Sequence, residues 1–317
     1  FMSPEFTQEY TKRPVNPGAE EMMGKEFPVL DHGFIYLVDY MGSDSEIARA
    51  ARTSYGKGTR TIREDSDLIK HLLSHDHTSP FEMVEFKFHA KMPIFVARQW
   101  IRHRTASLNE MSARYSILDK EFYVPSAEEM GVQSKVNNQG RVNEFNQDQA
   151  EFIRQLLISD AQRNYEHYEY MLNDKGDKTP KDPNRDMLAR ELARMNLSLN
   201  FYTQWYWKID LHNLLHFLNL RMDPHAQREI QLYAFEMAKI VKESVPITWE
   251  SFEEYKLNSL KLSRNEVKII DIINSGNPIT ISREQIKELL NTHDMKTKWE
   301  EEEFKTKLNN LGYKING

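Results

Sequence analysis

Residues 102–116 read RHRTASLNEMSARYS, and the rest of the chain is organised around this segment. Four arginines and one histidine lie between Arg98 and Arg114 against a single acid, Glu110, although the whole chain carries a formal charge of −6. Arginine is always protonated, and its planar fork of donors pairs with phosphates and carboxylates. The segment therefore predicts a binding site for an anionic ligand. A second interpretation is a solvated helix end, followed by a capping box, Ser107-x-x-Glu110, that opens the next helix.

The composition excludes several classes of protein. Because the 317 residues include no cysteine, the chain has no disulfide, no thiolate metal site and no thiol nucleophile. The mildly negative net charge argues against general nucleic-acid binding, which favours a broad basic surface. No apolar run approaches the roughly 18 residues of a membrane span, and no signal-peptide pattern opens the chain. We therefore expect a cytoplasmic protein with no membrane or nucleic-acid partner.

The composition also divides the chain into three parts. Residues 1–27 are polar and aperiodic, which predicts a flexible tail, and residues 1–6 resemble an expression scar. Residues 28–258 carry the periodic apolar pattern of a folded domain. From about Tyr255 the composition shifts to Lys, Glu, Asn and Ser, so residues 259–317 are predicted to form an appended small helical segment. A partner-binding role and a merely structural role are both open for this segment.

The pattern before the arginine segment predicts a strand and then a helix. In residues 81–90, Phe86 and Phe88 alternate with polar residues, as in a half-buried strand. Pro93 suits the first turn of the helix that follows, and this helix leads into Arg102.

Two later predicted helices carry further arginines. A helix capped by Asp186 is predicted to turn an apolar stripe inward, formed by Leu188, Leu192, Met195 and Leu199. In the helix predicted over 211–222, Arg221 lies on the same face as Leu214 and Phe217. A charge at a core-facing position is costly unless it is paired. Arg221 is therefore predicted either to form a buried ion pair with an acid or to face a ligand.

The run Arg102-His103-Arg104, seven residues and then Ser112 resembles the signature of the flavin-dependent thymidylate synthases. Further landmarks of that family occur in the same order between Asp31 and Tyr255: SPFE at 79–82, the helix of 93–100, EFY at 121–123, the Arg194 helix, FLNLR at 217–221 and HAQ at 225–227. The resemblance implies an α/β (α+β) fold, with a small, mostly antiparallel sheet and surrounding helices, to which the C-terminal helical segment is appended.

The resemblance also implies an activity. Enzymes of this family bind FAD and make dTMP from dUMP, taking the one-carbon unit from methylenetetrahydrofolate and the hydride from NADPH by way of reduced flavin. They are homotetramers whose active sites are built from several subunits. The absence of cysteine agrees with this activity, because the ordinary thymidylate synthases attack the uracil ring with a cysteine.

Roles for individual residues follow from the same resemblance. The residues implied to bind FAD are Ser79, Arg102, His103, Arg104, Glu110, Asp210, His212 and His216, with Glu82, Asn109 and His225 as further candidates. The residues implied to bind dUMP are Gln99, Arg102, Glu110, Met111, Ser112, Ala113, Arg114, Arg194 and Arg221. His77 is implied to lie near the folate and the flavin.

The chemistry of uracil methylation suits these residues. Without a thiol to add to the ring, the enzyme must stabilise negative charge on N3 and O4, and we assign this catalytic role to the guanidinium of Arg221. Arg114 and Arg194 suit the phosphate of dUMP. Nothing adjacent to Ser112 marks a base that would activate it, so we predict a hydrogen-bonding role for this serine.

Two other functions stay open from the sequence. His71 and His75 fall at i, i+4 on one helical turn, and with Asp76 and His77 they form a cluster with the spacing of metal ligands. Such a cluster is typical of a metal-dependent phosphohydrolase, whereas the favoured interpretation includes no metal. The second alternative is a nucleotide-binding protein without activity.

Overall fold

The computed structural model describes residues 12–53, 62–134, 140–142, 145–276, 280–295 and 297–316. The chain divides into two compact units, Phe1–Met130 with Phe145–Leu257, and Gly131–Glu144 with Asn258–Gly317. The first unit contains the arginine segment. None of the helices in the ranges described has the length and apolar character that a membrane crossing requires.

A five-stranded sheet forms the centre of the first unit. The strands in the described ranges are β1 (Phe27–Val29), β2 (Gly33–Met41), β3 (Glu85–Pro93), β4 (Ser107–Glu110), β5 (Val132–Gln133), β6 (Arg141–Val142), β7 (Tyr202–Asp210), β8 (Thr280–Ser282) and β9 (Lys314–Asn316). The central sheet has the order β1-β2-β3-β7-β4, and every neighbouring pair in it is antiparallel. The predicted small antiparallel sheet is therefore confirmed.

The strand β3 owes its position to the alternation seen in the sequence. Phe86 and Phe88 are buried on one face of the sheet, and Phe88 pairs with Trp207 of β7. The centre of the Trp100 ring lies 5.3 Å from the centre of the Trp207 ring and 5.1 Å from that of Phe217. This aromatic cluster fixes the end of the helix that precedes the arginine segment.

Helices cover this sheet and supply the rest of the core. The helices of the first unit are α1 (Pro17–Met22), α2 (Asp44–Thr53), α3 (Ile62–Ser74), α4 (Ile94–Trp100), α5 (Gln147–Leu172), α6 (Arg190–Ala193), α7 (Leu211–Arg221), α8 (Arg228–Ser244) and α9 (Pro246–Phe252). Short 3-10 turns lie between these helices at Phe81–Met83, Ala127–Glu129 and Arg194–Asn196, and a π-helical turn comes after α9 at Glu253–Leu257. On α8 the inward face is fully buried, which explains why this helix closes the core.

The predicted flexible tail over 1–27 is wrong for its second half. Asn16 caps α1, its amide donates to the carbonyl of Ser244 at 2.8 Å, and its backbone N–H donates to the Tyr40 hydroxyl at 3.0 Å. Ala19 and Met22 are buried in the main core. The polar composition concealed this helix because its polar residues serve as caps and contacts. Residues 1–11 lie outside the described part of the chain.

The apolar stripe predicted after Asp186 is also wrong. In place of one long helix, the structure has the four-residue helix α6 and then a 3-10 turn, so the residues no longer share one inward face. All four side chains of the stripe are exposed, Met195 by 75%. The segment instead packs through Ala193 and Leu197 onto the cluster of Tyr165, Tyr168 and Phe201.

The second unit confirms the small helical C-terminal segment and adds short strands to it. Its helices are α10 (Arg264–Ser275), α11 (Arg283–Thr292) and α12 (Lys298–Asn310). The strands β8 and β9 pair in parallel, and β5 pairs with β6 in antiparallel. Ile269, Ile286 and Phe304 form a core of their own. Capping boxes begin all three helices, which defines where each one starts.

Candidate functional site

The arginine segment is held as a turn between a helix and an edge strand. The buried Trp100 ends α4, and the chain then turns as the backbone N–H of His103 donates to the carbonyl of Trp100 at 3.0 Å. Ser107–Glu110 pairs with β7 as an edge strand. The alternative capping box at Ser107 is therefore wrong, because no helix begins there.

The helix α7 brings a second set of site residues to this turn. Asp210 ends β7 and caps α7, accepting a hydrogen bond at 2.9 Å from the backbone N–H of Asn213. Because Phe217 and its apolar neighbours bury one side of α7, the helix has a fixed rotation. His216 and Arg221 then lie beside the turn that carries His103.

A cationic cavity forms where the turn and α7 meet. It has a volume of about 380 Å³ and is lined by Arg102, His103, Arg104, Thr105, Ile209, Asn213, His216, Leu220 and Arg221. Three of these side chains are guanidinium groups, and none is a carboxylate. Such a cavity attracts anions, because uncompensated guanidinium groups repel one another until a negative charge lies between them.

Among the residues that the structure describes, the catalytic candidate Arg221 pairs with a histidine and with no acid. Its Nε donates to Nε2 of His103 at 3.0 Å, so His103 is neutral and carries its proton on Nδ1. Burial, the charge of Arg221 and the nearby His216 lower the pKa of His103 to about 4. The ring of Phe217 contacts the imidazole edge-on at 4.8 Å. The ion-pair interpretation of Arg221 is therefore wrong.

Burial also lowers the pKa of Arg221 below its usual value, although an arginine stays protonated at neutral pH. A half-buried cation with only a neutral partner exerts a stronger field than one in water. The Arg221 guanidinium is thus suited to stabilise negative charge that develops on a ligand in the cavity.

Gln99 provides a separate indication of a ligand. Its Oε1 atom is buried and has no hydrogen-bond partner in the described part of the chain. A buried amide oxygen without a donor is costly, so an incoming N–H group would be bound well here. Gln99 does not line the cavity, and its unpaired acceptor suits a ligand group that carries an N–H donor.

The loop of the predicted dUMP site, residues 110–114, follows β4 outside the lining of the cavity. Thr203 donates to a Glu110 carboxylate oxygen at 2.7 Å, and the Met111 backbone N–H donates to the Gln204 carbonyl at 2.9 Å. These bonds fix the start of the loop. The buried Ala113 anchors its centre.

The end of the same loop presents polar groups outward. The Ser112 hydroxyl accepts from the Arg114 backbone N–H at 3.3 Å, and the exposed Arg114 guanidinium lies 5.6 Å from the centre of the Tyr115 ring. Arg194 is also exposed, at the start of the 3-10 turn that follows α6. These arginines have the exposure that phosphate binding requires.

The remaining predicted residues do not line the cavity. Both carboxylate oxygens of Asp210 are used by Asn213, through its backbone N–H and its amide, so Asp210 has a structural role at the start of α7. His212 is half-buried in the first turn of that helix, whereas Ser79 and His77 are exposed in the loop after α3. Within one chain, the structure therefore brings together five of the predicted residues, namely Arg102, His103, Arg104, His216 and Arg221.

Sequence reasoning missed two polar residues of the cavity, Asn213 and Thr105. Asn213 precedes His216 by three positions and so lies on the same face of α7. Thr105 directly follows the three cationic residues of the signature. Both signals were present in the sequence spacing.

The histidine cluster gives no support to a metal site. The rings of His71 and His75 are tilted against each other with their centres 4.2 Å apart, and Nδ1 of His75 contacts the His71 carbonyl at 2.9 Å. Across the residues whose positions are known, no group of three or more His, Cys, Asp or Glu side chains is arranged to hold a metal ion. The described residues of the cluster therefore give no support to the phosphohydrolase alternative.

Comparison with known proteins gives a consistent set of relatives. The family model described as thymidylate synthase complementing protein matches residues 36–247. The flavin-dependent thymidylate synthase of Rickettsia bellii is 53% identical over 271 residues, 85% of this chain and 92% of that protein. The enzyme of the same name from Wolbachia pipientis is 53% identical over 272 residues, 86% of this chain and 92% of its own length.

A solved structure supports the same relationship. The UMP/dUMP methylase PolB from Streptomyces cacaoi, crystallised with 5-Br dUMP, superposes with a TM-score of 0.63 and 29% sequence identity. The match covers 74% of this chain and 100% of the methylase chain. The shared fold thus extends over about three quarters of this chain.

Proposed function

The chain belongs to the flavin-dependent thymidylate synthase family, and we propose that it converts dUMP to dTMP at the cationic cavity of Arg102, Arg104 and Arg221. It is a methyltransferase that uses FAD. The observation that carries the site assignment is the cavity itself, in which three guanidinium groups converge without a carboxylate. We further propose methylenetetrahydrofolate as the carbon donor and NADPH as the reductant.

The residues of the cavity fit the cofactor. Arg102, His103 and Arg104 would hold the flavin, and His216 would complete its binding site with Asp210 and His212 in support. Guanidinium groups suit the two phosphates of FAD, and a neutral imidazole offers a hydrogen bond without adding charge. Ser79, Glu110 and His77 are further candidates for contacts with the flavin or the folate. When bound, FAD supplies the hydride that completes the methyl group.

This chain's own residues would bind and polarise the uracil ring. Gln99 offers its unpaired buried oxygen to a ring N–H, and Arg221 stabilises the negative charge that spreads onto N3 and O4 as C5 becomes nucleophilic. His103 accepts from Nε of Arg221 and so leaves the two Nη groups free to face the substrate. The chain has no cysteine, so this stabilisation must act without a bond between a cysteine sulfur and C6.

Arg114 and Arg194 would bind the phosphate of dUMP, and the loop from Met111 to Ala113 would carry the hydroxyl of Ser112 to the nucleotide. Exposed guanidinium groups form bidentate contacts with phosphate at little desolvation cost. Their separation from the cavity within one chain supports the proposal that neighbouring subunits share each site.

We therefore propose a homotetramer that works in the cytoplasm. The support is the exposure of four large apolar side chains on the segment that carries Arg194, namely Leu188, Leu192, Met195 and Leu199, because exposed apolar surface is typical of protein interfaces. A tetramer would have four times the 37.5 kDa mass of one chain in light scattering. A monomer of that mass would contradict the shared site.

The test of the function begins with the visible spectrum of the purified protein after incubation with FAD and desalting. We expect about one flavin per chain, bleached by NADPH, and dTMP formation from dUMP and methylenetetrahydrofolate. Arg163→Lys, at an exposed ion pair on α5, is the matched control for arginine variants of the cavity. A protein that takes up no flavin would exclude the assignment of the cavity to FAD.

A further inference from the structure

Arg190 and Asp174 form a buried ion pair outside the cavity. Nε and Nη2 of Arg190 donate to Oδ2 of Asp174 at 3.2 and 2.6 Å. The two side chains are only 14% and 2% exposed. A buried ion pair is seldom a net source of stability, because desolvation of two charges offsets their attraction. A role in geometry is therefore the better explanation for it.

Asp174 is fixed from its other side as well. Its Oδ1 accepts the backbone N–H groups of Gly176 at 2.8 Å and Lys178 at 3.0 Å. Burial acts to raise the pKa of Asp174, but the hydrogen bonds from Arg190 and from these N–H groups outweigh it and lower the pKa. The carboxylate is thus ionised and immobile, and it provides a rigid anchor for the guanidinium.

The remaining guanidinium nitrogen of Arg190, Nη1, contacts the residue that follows the predicted dUMP loop. This nitrogen donates to the backbone carbonyl of Tyr115 at 2.5 Å, and Tyr115 directly follows Arg114. Arg194 lies four residues after Arg190, and the buried Ala193 fixes the backbone between them. One guanidinium therefore connects the two segments that present the phosphate-binding arginines.

We propose that Arg190 is a positioning residue that sets the spacing of Arg114 and Arg194 for the phosphate of dUMP. This inference rests on the proposed function. Arg190 itself is not catalytic, because Asp174 and the Tyr115 carbonyl already occupy its donors. Only arginine has a planar fork long enough to hold both partners at once, so lysine is a conservative variant in charge but not in geometry.

The test compares Arg190→Lys with the wild-type enzyme in steady-state kinetics. We expect the KM for dUMP to rise by about 10- to 100-fold, the loss typical of misplaced binding groups, while kcat at saturating dUMP changes by less than about threefold. FAD retention should be unchanged, since the cavity does not contain Arg190. Asp174→Asn keeps the size of the side chain and removes its charge, and we expect the same selective rise in KM.

Tyr233→Phe is the matched stability control. It removes the buried hydrogen bond from the Tyr233 hydroxyl to the Lys91 carbonyl, at 2.6 Å, and leaves the Arg190 contacts intact. We expect it to lower the melting temperature with no change in KM for dUMP. If Arg190→Lys and Asp174→Asn keep the wild-type KM, the positioning role is wrong. It is also wrong if kcat and flavin retention fall while KM rises, as in a general loss of structure. Failure of the proposed function would appear in the wild-type protein itself, as absence of flavin or of dTMP.

Discussion

Replacing His103 by glutamine tests the contact at the centre of the cavity. A glutamine oxygen can accept the hydrogen bond that Arg221 Nε now donates to His103 at 3.0 Å, but it has no proton to gain at mild acidity. The variant therefore removes a titration while keeping an acceptor. His167→Gln, at an exposed histidine on α5, is the matched control.

The direction in which stability changes with pH follows from the pKa of His103, which is lowered from the usual 6.5 to about 4. As pH falls below 6.5, the unfolded chain takes up a proton at this residue and the folded chain does not, so stability is lost until pH reaches about 4. Between pH 7 and pH 5 the linkage relation gives about 2 kcal/mol for such a shift. Because the imidazole is only half-buried, solvent screening reduces this to about 1 kcal/mol.

The assay is thermal unfolding followed by circular dichroism at pH 7 and pH 5. A loss of about 1 kcal/mol lowers the melting temperature of a domain of this size by about 2 to 4 °C. Between pH 7 and pH 5, we expect the melting temperatures of the wild type and of His167→Gln to fall by this amount more than that of His103→Gln. If His103→Gln shows the same pH dependence as the wild type, His103 is not the neutral acceptor described here.

Three further predictions concern catalysis, substrate binding and folding. Arg221→Ala should lower kcat at saturating dUMP by about 10²- to 10³-fold, as for other preorganised donors, and near-normal turnover in single-turnover kinetics would contradict its catalytic role. Arg114→Ala and Arg194→Ala should each raise the KM for dUMP by about tenfold or more with a smaller change in kcat, because lost phosphate contacts affect binding more than chemistry; an equal fall in kcat would argue against phosphate binding. Asn16→Ala should lower the free energy of unfolding in urea by about 2 kcal/mol, since it removes a helix cap and a buried donor, whereas Val15→Ala at the exposed neighbour should have little effect.

The parts of the fold that the sequence predicts correctly are those with strong local periodicity. β3 buries one regular face, so its apolar spacing was sufficient to place it. The apolar residues from Leu188 to Leu199 have helical spacing too, yet the chain around Arg190 forms only one helical turn. There the buried pair with Asp174 outweighs local propensity, and a contact between residues 16 positions apart has no signature in the spacing.

The candidate site also contains residues that the sequence identifies and a contact that it does not. Arg102, His103 and Arg104 are adjacent in sequence, so a motif identifies them without any knowledge of the fold. The contact between His103 and Arg221 joins residues 118 positions apart, and it depends on β7 and α7 folding beside the turn. Spacing indicated that Arg221 needed either an acid or a ligand as its partner. It could not indicate His103, because a neutral imidazole at this position is a property of the folded environment.

The hydrogen bond from Asn16 to Ser244 has a consequence for the order of events during synthesis. The two residues are 228 positions apart, and α1 becomes buried only when α8 is present. At a translation rate of about 5 to 20 residues per second, the N-terminal helix waits about 10 to 45 s on the ribosome before its partner is made. The part of the core that α1 and α8 share therefore closes only after Ser244 has been made.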